Sequence, residues 1–82
     1  SEETKVLTSD INKFRKDDLV FARESVGVVT YVGLAERMNT SKGVLPFSEP
    51  RMIVRVRLTS GFEFPVMHNS ELWSQIKVLA KA

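Results

Sequence analysis

The segment RMIVRVRLTSGFEFPV, residues 51 to 66, constrains the fold more than any other part of this chain. Met52, Val54, Val56 and Leu58 alternate with Arg51, Ile53, Arg55 and Arg57, so a pleated strand carries an apolar row on one face and three guanidinium groups on the other. Thr59, Ser60 and Gly61 then form a short turn, in which Gly61 can take the positive φ that a three-residue hairpin needs. Phe62, Phe64 and Val66 return at every second position, the spacing of core residues. Pro65 has no backbone N–H to give, which places this returning strand at a sheet edge or ends it there.

A second pair of strands comes earlier. Leu19, Val20 and Phe21 form a short apolar run, Arg23, Glu24 and Ser25 a polar turn, and VGVVTYVG, residues 26 to 33, a strand rich in β-branched residues. Strict alternation predicts Val29 and Tyr31 on one face, together with Gly27 and Gly33, and Val28, Thr30 and Val32 on the other. The two glycines suit close backbone packing or a bulge where the strand bends around a small barrel.

The rest of the chain is less regular. Residues 34 to 50, LAERMNTSKGVLPFSEP, predict a long loop between the two pairs, with some of Val44, Leu45 and Phe47 touching the core or a partner. Near the carboxyl end, a short helical turn at about 70 to 74 followed by a closing strand from Gln75 to Leu79 is the favoured reading. A single long helix capped by Asn69 or Ser70, with Leu72, Ile76 and Leu79 on one face, is the competing one. Trp73 is expected as a lid over the barrel mouth. Residues 1 to 10 read as a flexible polar segment, and Ile11 and Phe14, three apart, suit one helical turn laid on the core.

Composition sets outer limits. With 82 residues the chain can build one core, so residues 11 to 82 are read as one domain. Hydrophobic residues make up 43% and charged residues 27%, ordinary globular usage and far from that of a disordered chain. There is no cysteine, which removes disulfides and thiolate metal sites from consideration. No apolar run approaches the roughly 18 residues that span a bilayer, and the expected setting is intracellular. The net charge of +2 is too small to argue for nucleic acid by bulk electrostatics, so only local clustering of charge can speak for a partner.

Residues 18 to 33 resemble the opening of a CAP-Gly domain, the small SH3-like module of microtubule-associated proteins. In that family a D-x-V strand is followed after a turn by G-x-V-x-Y-V-G, and the matching positions are Asp18, Val20, Gly27, Val29, Tyr31, Val32 and Gly33. The resemblance implies an SH3-like barrel and a cytoplasmic, cytoskeletal setting. The family's GKNDG loop, which lines a groove for acidic tails, is absent. The tight turn at Thr59 to Gly61 stands in its place, so no groove residue carries over.

These readings converge on an all-β, SH3-like open barrel of about five antiparallel strands that acts as a protein-interaction module without catalysis, cofactor or metal. A single histidine, His68, beside Asn69, Ser70 and Glu71 supplies too few groups for a metal site or an activated nucleophile. The candidate binding residues are Arg51, Arg55 and Arg57, which can pair bidentately with carboxylates or phosphates, with Arg37, Lys42 and Phe47 added from the loop. An acidic protein segment is the expected partner. Nucleic acid contacted by the same arginines is the alternative, and a docking or dimerising role through Val44, Leu45 and Phe47 is a third.

Overall fold

Alternating β-branched residues can satisfy their backbone only by pairing with neighbours, and in the computed structural model, which describes residues 13–82, they do so in one five-stranded sheet. The strands are β1 (Leu19–Ala22), β2 (Ser25–Thr40), β3 (Gly43–Leu58), β4 (Glu63–Met67) and β5 (Lys77–Ala80). All pairs are antiparallel and the order across the open sheet is β4-β3-β2-β1-β5. A short helix, α1 (Glu71–Gln75), precedes β5, capped by the Ser70 hydroxyl, which accepts from Trp73 N at 3.2 Å. The small all-β fold expected from the sequence is therefore the fold found, including the helical turn and a last strand, although β5 forms an edge of the open sheet rather than closing it. The amino-terminal segment 1–10 and Ile11 lie outside the described residues.

One face of the sheet builds the core. Val20 and Ala22 of β1, Val29 of β2, Val54 and Val56 of β3, and Phe64 and Val66 of β4 are buried together with Phe14, Trp73 and Ile76. Trp73 closes this core as a lid, its ring edge-on to Phe14 with centroids 4.9 Å apart and to His68 at 5.0 Å. Gly27 is needed here: a Cβ would stand 2.9 Å from the Arg57 carbonyl oxygen and 3.0 Å from Val56 Cγ1, so β2 and β3 approach more closely than a side chain permits.

Asp18 ties the two ends of the described chain together. Its carboxylate, fully buried, accepts from Ala82 N at 2.8 Å, Lys81 Nζ at 2.9 Å and Arg15 N at 2.8 Å. Burial works against the charged form, yet the hydrogen bonds from Ala82, Lys81 and Arg15 outweigh it and hold the carboxyl below its ordinary pKa. The clasp fixes the end of β5 against the entry to β1.

Three expectations need correction. A bulge separates the Val29↔Val56 pair from Tyr31↔Arg55, so Thr30 is an extra residue and the alternation shifts by one. Tyr31 and Gly33 therefore join the outer face, and Val32 packs against the core instead. Residues 34–50 are not a loop. They are the far part of the β2–β3 hairpin, with Arg37↔Pro46, Met38↔Leu45, Asn39↔Val44 and Thr40↔Gly43 paired around a turn at Ser41 and Lys42. Thr40 Oγ1 secures that turn, donating to Gly43 O at 2.8 Å and accepting from Lys42 N at 3.2 Å. Phe62 is 56% exposed rather than in the core, because β3 ends at Leu58, opposite it, and among the described residues no strand continues past that end; its ring stacks on Phe64, centroids 5.8 Å apart.

The edge position expected for Pro65 is correct. Leu58 N donates to Phe62 O and His68 N to Met52 O, a register that turns Phe64 N and Val66 N toward β3 and aims the nitrogen of Pro65 at the open side.

Candidate outer-face binding surface

With the apolar row of β3 turned inward, pleating sends Arg51, Arg55 and Arg57 outward, and all three are exposed. Successive outward residues on one strand stand about 7 Å apart, so the row extends over about 20 Å. Its one carboxylate partner among the described residues is Glu63 on β4, whose Oε1 lies 3.9 Å from Arg55 Nη1. The Thr30 hydroxyl also donates to Glu63 Oε1 at 3.0 Å and lies 3.3 Å from Arg55 O, so the bulge residue pins this pair. Arg57 has no carboxylate within ion-pairing distance among the described residues, although Glu63 stands opposite it in the register.

The face between these charges is not uniformly polar. Ile53 shares the outward side with the arginines but is buried, flanked by Gly33 on β2 and Met67 on β4. The Tyr31 ring leans over Gly33, where a Cβ would meet the phenol oxygen at 2.7 Å, and its hydroxyl donates to Leu34 O at 2.9 Å. Thr30, Tyr31, Ala35, Ile53, Arg55 and Glu63 enclose a shallow concavity of about 370 Å³. A neighbouring one of about 210 Å³ shares Arg55 and Glu63 and is bounded by Asn39, so the hairpin arm comes over this part of the sheet.

The residues expected from the 34–50 segment divide. Phe47 is half-buried and carries the Arg51 guanidinium 5.3 Å from its ring centre, a cation–π contact that makes it a support for Arg51 rather than a free anchor. Arg37 lines a concavity with Phe47, so these three come together. Lys42 stands apart at the arm's tip.

A second part of the outer face escaped the sequence reading. Since Val20 and Ala22 point inward, Leu19 and Phe21 point outward, 42% and 40% exposed, opposite Val28 and Val26 on β2. On the far side of β1, Lys77 of β5 pairs with Phe21 and is exposed. Leu19, Val26, Val28, Arg57 and Leu58 line a concavity of about 300 Å³ here. The signal was available in the alternation of burial that any half-buried strand imposes on a three-residue apolar run.

Among the described residues no group of three or more His, Asp or Glu side chains is placed to hold a metal ion. No family model, curated protein or solved structure matches this chain.

Proposed function

We propose that this domain is a non-catalytic interaction module that binds an acidic protein segment across the outer face of β3. The observation that carries the reading is the row of three outward guanidiniums answered by a single carboxylate, with Arg57 left unpaired among the described residues and Arg51 braced on Phe47. Guanidinium groups held on a strand are pre-positioned for bidentate carboxylate contacts, and less side-chain freedom is lost on binding than from a mobile loop. The hairpin arm, from Leu34 to Pro50, flanks the row and supplies Arg37. The resemblance of residues 18 to 33 to CAP-Gly domains favours a cytoskeletal setting for such a partner.

The test is a fluorescence titration with a short glutamate-rich peptide, repeated with the Arg55→Glu/Arg57→Glu variant and at rising salt. Binding is expected to weaken at least about tenfold in the variant and to fall as salt increases. Unchanged affinity in the variant overturns the proposal. A parallel titration with single-stranded and duplex oligonucleotides addresses the phosphate alternative: tighter binding to these than to the peptide at the same salt would replace the acidic segment with nucleic acid.

A further inference from the structure

The outer apolar patch and the arginine row meet at Arg57, and their order across the sheet defines what can lie on them. Arg57 of β3 stands opposite Val28 of β2, and Val28 opposite Leu19 of β1. One row further along, Val26 of β2 faces Phe21 of β1, and Phe21 faces Lys77 of β5. A line drawn across the strands thus runs from a cation, over four apolar side chains, to a second cation. Neither Arg57 nor Lys77 has a carboxylate partner among the described residues.

Strands lie about 4.8 Å apart, so the three steps from β3 to β5 cover about 14 Å, and the two-residue offset between the rows adds about 7 Å along the strands, which puts the two cations' backbones about 16 Å apart on a diagonal. An extended peptide advances about 3.3 Å per residue and shows alternate side chains to the same side. Five residues span about 13 Å from first to last and bridge the two cations once the long Arg57 and Lys77 side chains reach inward along the diagonal, with the first, third and fifth facing the sheet. We infer that the segment this surface accepts has the pattern acidic–x–apolar–x–acidic, lying across the strands with its central side chain over Leu19, Phe21, Val26 and Val28 and its flanking carboxylates on Arg57 and Lys77. The inference rests on the function proposed above and narrows it from an acidic segment to one with an apolar centre between two carboxylates. Two positive ends exclude a partner that is apolar alone, and an apolar middle gives a uniformly acidic one nothing to cover it.

Three labelled peptides built around Glu-Ser-Phe-Ser-Glu, Glu-Ser-Ser-Ser-Glu and Glu-Glu-Phe-Ser-Ser test this by fluorescence anisotropy at constant salt. The first is expected to bind about tenfold more tightly than the other two: the second lacks the large apolar side chain, whose burial is worth at least that factor, and the third keeps it but has no carboxylate at the far cation. Phe21→Ser should bring the first peptide down to the level of the second and leave the second unchanged, with Leu19→Ser as an independent variant on the same patch. Lys77→Glu should weaken the first two together. Equal binding of all three peptides, with Arg57→Glu still harmful, overturns this inference and spares the broader function. Failure of every acidic peptide to bind at low salt overturns both. A concentration-dependent doubling of mass that Phe21→Ser abolishes would show the patch to be covered by a second copy, and would likewise overturn the peptide assignment.

Discussion

The near and far parts of the β2–β3 hairpin are continuous in two strands but differ in what surrounds them. In the near part, β1 pairs with Ser25 to Val28 of β2 and β4 pairs with Ile53 to Arg57 of β3, and Val29, Val54 and Val56 are completely buried. In the far part, four pairs from Arg37↔Pro46 to Thr40↔Gly43 have no third strand beside them, and Val44 and Leu45 are 60% and 48% exposed. Between the two, β3 uses Phe47 to Pro50 where β2 uses only Glu36, so the regular ladder is interrupted where the arm begins. An isolated two-stranded ribbon is marginal by itself, so the arm is held by its attachment while the near part holds the domain.

Substitutions can break this contrast, and the largest effect is expected in the near part. Val56→Ala should lower unfolding free energy by about 3 kcal/mol, measured by urea denaturation, because a fully buried side chain flanked on both sides leaves a cavity that cannot collapse. A loss no larger than that at Val44, outside any core, would erase the distinction. Asp18→Ala should cost about 2 kcal/mol by leaving Arg15 N, Ala82 N and Lys81 without their acceptor. Its effect depends on pH with a defined sign. Since the folded pKa lies below the ordinary value, the stabilisation is present in full above about pH 4 and is lost as pH falls through the lowered folded value. Denaturation midpoints of the native chain and the variant should therefore converge in acid; a constant gap down to pH 2 would contradict the clasp. The smallest effect sharpens the contrast. Replacing Met38 to Leu45 by Asn-Gly should change stability by no more than about 0.5 kcal/mol, since of the paired residues it removes only Met38 is even half-buried, and it shortens the connection. A drop of several kcal/mol would mean that the arm packs on the sheet as core does.

What the residues disclosed in advance follows the same division. The near strand β3 was legible because Met52 to Leu58 keep strict alternation, and the arginines fell on the outer face as that pattern required. Tyr31 was assigned to the wrong side because a bulge adds a residue at Thr30 with no local mark in the sequence. Pro46, Glu49 and Pro50 hide the pairing of the arm, since they break the period that identifies a strand. Phe62 shows that alternation gives a face but not the point where a sheet stops. Of the candidate surface, Arg51, Arg55 and Arg57 could be read directly, whereas the pairing of Phe47 with Arg51 depended on the local irregularity of β3. The patch around Phe21 depended on knowing that Val20 and Ala22 face inward. The clasp at Asp18 joins positions 64 residues apart, a relation that no local pattern encodes.

The proline on β4 has a consequence for how this molecule behaves in company. An open rim normally invites an incoming chain to continue the sheet, and stacking of that kind can propagate from copy to copy. At Pro65 the visiting carbonyl finds a ring where it requires a hydrogen, so the register fails in the middle of a five-residue rim. Pro65→Ala would restore that donor, and light scattering of concentrated samples is where the lost safeguard would become visible.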